Sequence, residues 1–486
     1  MRVQLEQLDL MRPWPTLRLQ DGYHAARVLV RVGSIPVGEV FARPAVSRFI
    51  TPKRLRRRMV KRLTPHLLKI LARAALGAGP EVMKESSVVA PVLAGPSNVR
   101  AARKFAGEKL LVPEGLPSPY RDWILATEHQ YKFQCPPVTV AICTRDRPEE
   151  LERCLENLKR LDYPDYDVLV VDNSKDPSPT RALADQFGVS YAREPKAGLS
   201  RARNMAMKSA RAPWIAFTDD DCQPEPNWLR ELVREMQDGN CKCVTGLVMP
   251  AQLENAAEIA FELYGGLGRG YVPVVFDPLF RTKIRTAPAP TWRIGAGANM
   301  LLDASFVGEF GYDVDLGPGG VGGCGEDTDV FYRILRSGYT IHYNPRAIVH
   351  HSHRSSPEAL RKQVYQYAIG HAAYHWRCFW RYRDYRSLIQ LIWHLPNWWR
   401  RNIKLATTGK TTYPISLIFL EIRGTFRGPM AYSAVKIKRF GKFVWDVMRG
   451  KYQRKAPRLV STSDLADDGR SEKHGAIAVK KPVRAA

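Results

Sequence analysis

From Val138 onward short apolar runs alternate with amphipathic stretches, and that alternation restricts the fold more than any other feature of the chain. "VTVAIC" reads as a strand, "PEELERCLENLKRL" as an amphipathic helix opened by Pro148, and "DVLVVD" as a second strand. A helix near 178–187, a short strand "VSYA", a helix "LSRARNMAMKSA" and the strand "WIAFT" follow. This order predicts an α/β fold with a doubly wound, mostly parallel sheet, whose ligands lie beyond the carboxyl ends of the strands. Asp146, Asp172 and Asp219 to Asp221 all stand just after predicted strands, so three strand ends present carboxylates to one edge of the sheet.

The sharpest of these ends is "WIAFTDDDC". Adjacent carboxylates repel, and burial raises their cost unless a cation neutralises them. One reading is a solvated acidic turn. The other is a divalent metal site holding a phosphate-bearing substrate, and the repetition of aspartate at three strand ends favours it.

Around this core the chain divides into five parts. Residues 1–76 hold a small β element, "ARVLVRVGSIPVGEVFARP", and a basic helix-like patch from Lys53 to Leu63. Residues 77–136 read as a linker region, 137–355 as the α/β domain, 356–458 as a helical aromatic and basic region, and 459–486 as a disordered tail. The β element is open to two readings, a module for choosing a second substrate or an assembly surface. A composition of 45% apolar and 25% charged residues over 486 positions excludes fibrous and wholly disordered classes.

The net charge is +26, and from Arg354 on there are 27 Lys and Arg against 8 Asp and Glu. That excess points to a polyanionic neighbour, either nucleic acid or an anionic membrane surface. "HAAYHWRCFWRYRDYRSLIQLIWHLPNWWRR" interleaves aromatic and cationic residues, as surfaces at a membrane interface or a stacked base do. Eight cysteines without a C-x-x-C pair fit reduced thiols. No signal-peptide h-region and no run of 18 apolar residues occurs, so the expectation is a cytoplasmic chain, peripheral on the inner face of the cell membrane.

The segments "VTVAICTRDRPEEL", "VLVVDNSKD", "GLSRARNMAMKSA", "WIAFTDDDC", "GAGANMLLD" and "GGCGEDTDVFYRILRSGY" occur in order and at spacings that resemble the family 2 glycosyltransferases, inverting enzymes of GT-A fold. The resemblance covers about residues 137–353. It implies a nucleotide-diphosphate sugar as donor, Mn²⁺ or Mg²⁺ as cofactor, and a glycan or lipid-linked acceptor. Thr144, Arg145 and Asp146 would lie at the nucleotide, and Asp172 would accept hydrogen bonds from its base, its alternative role being to cap the turn "DNSKD". Arg203 and Asn204 would contact the donor phosphates and sugar.

The resemblance further makes Asp219 and Asp221 the family's D-x-D element, Asp221 as direct metal ligand, Asp219 on the donor ribose or a metal-bound water, and Asp220 an inward structural neighbour. Asp327 would be the base, Glu326 would bind the acceptor, and Asp329 would be a first-turn helix residue. Asn299 and Trp292 would line the acceptor side. In "VHHSHR" a histidine would reach the metal. On an extended segment His351 and His353 share a face that His350 does not, so His351 or His353 is the candidate.

The Q-x-x-R-W element and spanning helices of processive synthases are missing from this sequence, which favours single addition. The competing reading is a nucleic-acid- or membrane-binding protein with an inactive nucleotide-sugar domain. Nucleic acid is disfavoured as a partner because its support is charge alone. A nucleotidyltransferase would need a glycine-rich loop where "CTRDRPEE" stands.

Overall fold

The computed structural model describes residues 2–44, 48–60, 62–63, 67, 111–116, 121–122, 134–282, 286–408 and 414–449. Most of the linker expected at 77–136 and the whole of the tail expected at 459–486 lie outside the described residues. The chain forms two compact units, Met1–Val435 and Lys436–Ala486.

Strands β1 (Arg2–Asp9), β2 (Tyr23–Val32) and β3 (Ile35–Ala42) make a three-stranded sheet in the order β1-β2-β3. β2 and β3 are the hairpin around Gly33-Ser34, while β1 pairs with β2 in parallel. The sheet closes its own core with Leu55, Met59 and Leu63 from the basic patch, whose apolar positions therefore face inward.

The main sheet contains β4 (Val138–Thr144), β5 (Tyr166–Asp172), β6 (Ser190–Arg193), β7 (Trp214–Asp219), β8 (Cys222–Pro224), β9 (Cys241–Pro250), β10 (Val274–Phe276), β11 (Asn299–Asp303) and β12 (Thr340–His351). Its order is β8-β12-β9-β11-β7-β4-β5-β6, with β10 on β12. The four strands from β7 to β6 run parallel, as the alternation requires, and β9 runs parallel to β12. β11 enters antiparallel between β7 and β9.

Helices cover both faces. On one side Val138, Val140 and Ile142 meet Leu151 and Leu155 of α1 (Pro148–Leu158), and this core continues to Trp228 and Leu232 of α4 (Trp228–Met236). On the other side Ala141, Leu169 and Phe217 meet Ala202 and Ala206 of α3 (Leu199–Ser209) and Val330 and Phe331 of α6 (Glu326–Arg336). Period-2 alternation along β4 sends neighbouring residues to opposite layers. Helix α2 (Ser178–Phe187) lies beside α1, and α5 (Ala256–Tyr264), opened by a capping box between Asn255 and Glu258, packs Ala257 and Phe261 against Leu360, Val364 and Leu417 of the C-terminal helices.

The C-terminal part is helical: α7 (Pro357–Tyr382), α8 (Leu395–Thr407) and α9 (Ile415–Met448). A methyl group on Gly424 or Gly428 would meet the backbone of α7, at 2.9 Å from the Tyr365 carbonyl and 2.4 Å from that of Ile369, so the two glycines let α9 lie directly on α7. All eight cysteines are free. Among the described residues no helix is long and apolar enough to cross a membrane.

Candidate active site

β7 ends at Asp219, and only Asp220 and Asp221 separate it from β8. Because Cys222 pairs in register with His351, that short turn is held against the end of β12. Two of the three carboxylates are thereby buried: the Asp220 and Asp221 side chains are each 7% exposed, against 31% for Asp219. A solvated acidic turn does not describe this arrangement.

Each carboxylate has its own partners. Asp220 accepts from Thr144 Oγ1 at 2.8 Å and from Arg147 Nη1 at 3.1 Å, which makes it the inward structural member expected from the sequence. Burial and the neighbouring Asp221 push it up to about 6, against the pull of Arg147. Asp221 lies 3.0 Å from Arg147 and 3.3 Å from His351 Nε2, with Arg354 at 3.7 Å. Burial alone would raise Asp221, yet His351 and the arginines hold it below the usual carboxylate range, while the same pairing raises His351 against burial.

Among the described residues Asp221, Cys222 and His351 bring ligand atoms within 4.8 Å of one another. Burial keeps the Cys222 thiol far above its ordinary value, so Asp221 and His351 are the available ligands. A carboxylate with an imidazole suits Mn²⁺ better than Mg²⁺, which favours oxygen alone. His353 is corrected here: its Nε2 is 2.8 Å from Glu262 and its Nδ1 is 3.1 Å from His351 Nδ1. It orients His351 instead of facing the site. His350 points the other way, to Glu225.

These contacts reach the N-terminal sheet. Glu262 also pairs with Arg27 of β2 at 2.7 Å, and Glu225 pairs with Arg31. The first strands of the chain thus brace the strand that carries His351.

Arg203 joins the two halves of the site. Its guanidinium, 3% exposed, lies 2.7 Å from Glu326 Oε1 and 3.4 Å from Asp219 Oδ1. Gly297 allows this approach, since a Cβ there would meet Arg203 Nη2 at 2.5 Å. The Gly297 N–H then donates to Asp327 Oδ2 at 2.9 Å, and Thr328 N–H to Oδ1 at 2.6 Å, which fixes the Asp327 carboxylate. Glu326 is 5% exposed and its Oε2 is buried without a partner. Burial and Asp327 push Glu326 up to about 7, against Arg203. An orphaned buried oxygen beside a fixed carboxylate is what a site awaiting a hydroxyl would contain.

Several expected contacts are otherwise engaged. Asn299 is fully buried. Its amide donates to the carbonyls of Leu247 and Ala347 and accepts from Trp228 Nε1, filling the break in register between β9 and β12, so it lines no acceptor surface. Asn204 exchanges two hydrogen bonds with the Tyr312 backbone and is a strut. Asp172 is sealed at 0% exposure, accepting from Ser174 N–H and Tyr191 Oη, so it caps the turn and does not face a base. Asp329 is no ordinary first-turn residue: it is 0% exposed between Arg333 and Arg377.

Thr144 spends its hydroxyl on Asp220, whereas Arg145 and Asp146 stay partly exposed, Asp146 in the left-handed region at φ 56°. Trp292 stacks edge-on against His371 and His375 of α7. Sequence reasoning missed Arg147 and Arg354. The signal was present in "TRDRP", where Arg145 and Arg147 alternate, and in the arginine closing "VHHSHR".

An α/β sheet whose strand ends gather carboxylates, a histidine and arginines has its candidate site where such sheets place their ligands. Residues 139–306 match the family described as Glycosyl transferase family 2. It is 29% identical over 224 residues to the succinoglycan biosynthesis protein ExoM of Rhizobium meliloti, covering 44% of this chain and 66% of that protein. It is 31% identical over 121 residues to the glycosyltransferase AglE of Haloferax volcanii, covering 23% and 40%. The chain thus spans less than two thirds of the length of these relatives. A solved mannosyltransferase from Pyrobaculum calidifontis, in complex with GDP-Man and Mn²⁺, aligns over 61% of this chain and 87% of its own at 15% identity and a TM-score of 0.43.

Proposed function

We propose that this protein is a metal-dependent inverting glycosyltransferase that moves a sugar from a nucleotide-diphosphate sugar to a hydroxyl of a lipid-linked or cell-surface glycan precursor, one addition at a time. The observation that carries this reading is the Arg203 bridge, which sets Asp219 of the acidic triplet and Glu326, next to Asp327, in one site. Asp221 and His351 would hold a divalent cation, whose contribution is to neutralise the diphosphate as it leaves. Arg147 and Arg354 stand beside them as donors for the phosphates. Asp327 takes the acceptor hydroxyl proton as that oxygen bonds to the anomeric carbon, while the bond from that carbon to the diphosphate oxygen breaks. Glu326 Oε2 positions the acceptor.

Binding of UDP-, GDP- and dTDP-sugars with Mn²⁺ tests the donor. One donor is expected to bind only with metal, and about tenfold or more weakly in Asp221→Asn. His351 must be neutral to ligate, and its raised value keeps it protonated further up the pH scale. Mn²⁺ affinity should therefore rise about tenfold between pH 6 and pH 8, with proton release on binding. Donor binding that ignores both metal and Asp221 would end this reading.

The lipid-linked part rests on α9. Leu417, Ile418, Gly424 and Gly428 face the protein, yet Phe419, Phe426 and Met430 on the opposite side are 60%, 67% and 72% exposed, with Arg423 and Arg427 beside them. Residues 436–448, in the second unit, repeat the composition with exposed Ile437 and Phe440 among Lys436, Lys438 and Arg439. Such a helix suits an anionic lipid surface. Sedimentation with phosphatidylglycerol vesicles should be strong at low salt and weaker at moderate salt, and Phe426→Ser should cut it about tenfold. No sedimentation at either salt removes the membrane from the proposal.

A further inference from the structure

Away from the catalytic edge, the C-terminal end of α6 and the end of α7 border an open cleft of about 300 Å³ lined by Arg281, Arg336, Arg383, Arg386, Tyr382 and Asp384, with Tyr332 and Tyr385 completing the wall. Four guanidinium groups share this space with one carboxylate. That carboxylate is already engaged: Asp384 accepts from Arg386 Nε and Nη2, each at 2.7 Å, and from Tyr332 Oη at 2.9 Å. Among the described residues no carboxylate pairs with Arg281, Arg336 or Arg383. Among the described residues Arg281 Nε is buried without a hydrogen-bond partner, and the Arg336 and Arg383 guanidiniums lie over the rings of Tyr382 at 5.0 Å and Trp380 at 5.9 Å.

Backbone conformation gives a second, independent sign. Among the described residues only Asp146 and Arg383 are non-glycine residues at positive φ. Arg383 closes α7 at φ 57°, ψ 31°, the position where a helix ordinarily ends in glycine because a side chain is strained there. Arg383 thus lines this space from a backbone position that strains a side chain.

We propose that this cleft is a phosphate-binding site distinct from the catalytic centre, taking a phosphate or diphosphate group. Guanidinium forks match phosphate oxygens in pairs, and the Tyr382 and Tyr385 hydroxyls supply further donors. The lining residue Tyr385 is 57% exposed, so the group can belong either to a free anion or to the head of an amphiphile. Tyr332 and Arg336 lie on the same helix that begins with Glu326 and Asp327, so the site touches the element that carries the proposed base. No step of the proposed reaction uses these residues.

The test is calorimetric titration of the full chain, metal-free and in chelator-treated buffer, with inorganic pyrophosphate and, in a second arm, a soluble short-chain phosphatidic acid. Saturable binding is expected, about tenfold weaker in Arg336→Gln and in Arg383→Gly. Arg383→Gly should melt at or above the wild-type temperature because it relieves the left-handed arginine, which separates loss of the site from loss of the fold. Binding by pyrophosphate alone identifies a free anion, and binding by the lipid identifies a headgroup. Absence of saturable binding in both arms, or binding indifferent to both arginine substitutions, overturns the proposal.

Discussion

Asp327→Asn is expected to lower the rate of sugar transfer about 10²–10⁴-fold while donor affinity stays within about twofold. The asparagine keeps the shape and can still accept from Gly297 N–H, so the loop holding it is preserved. What it loses is the capacity to take a proton from the acceptor hydroxyl. Glu326→Gln is the necessary comparison, because Glu326 lies one residue away and is pushed up to about 7. Its Oε1 is committed to Arg203, so its substitution should weaken acceptor binding and loosen Arg203 before it changes the chemical step. Steady-state rates and single-turnover measurements with saturating donor distinguish the two. If Asp327→Asn transferred sugar normally and Glu326→Gln did not, the base would be Glu326.

Arg377→Met should destabilise the protein by about 3–5 kcal/mol, the range for breaking a buried ion pair from one side. Arg377 pairs with Asp329, at 0% exposure, and with Asp313 at 2.8 Å. Arg333, 2.8 Å from Asp329 on the same helix, would be left to neutralise it alone. The network ties α7 to the helix that begins with Glu326 and Asp327, so activity should fall with stability, unlike the Asp327 variant. Denaturant unfolding followed by tryptophan fluorescence measures it. Arg377→Lys should recover only part of the loss, because an ammonium cannot fork between two carboxylates. A change under about 1 kcal/mol would mean that Arg333 suffices.

Much of the α/β domain is legible along the chain because its signals are local. Apolar runs bounded by turn residues mark strands, and a 3.6-residue period marks helices such as α1 and α6. The places where strands end follow from the same pattern, so the clustering of carboxylates at one edge could be read from Asp146, Asp172 and Asp219 to Asp221. Strand β11 was harder, because nothing in "GAGANMLLD" tells an antiparallel insertion from another parallel strand.

Individual roles were less legible. Asp172 and Asn299 carry the residue types of a binding site, yet each satisfies its hydrogen bonds within the protein. Type and position cannot tell an aspartate that caps a turn from one that faces a ligand, since both end strands and both prefer turns. Parity along an extended segment separated His350 from His351 and His353. It could not choose between the last two, which share a face and differ only in having Asp221 or Glu262 opposite.

The sequence by itself determined the order of strands and helices, the edge where chemistry is sited and the acidic groups that gather there, because each depends on residues a few positions apart. The tertiary structure decided which of those groups are free to act. Arg147 meets Asp220 across 73 positions and Arg203 meets Glu326 across 123. A buried charge is settled by whichever partner the fold brings within about 3–4 Å, and no local pattern records that distance.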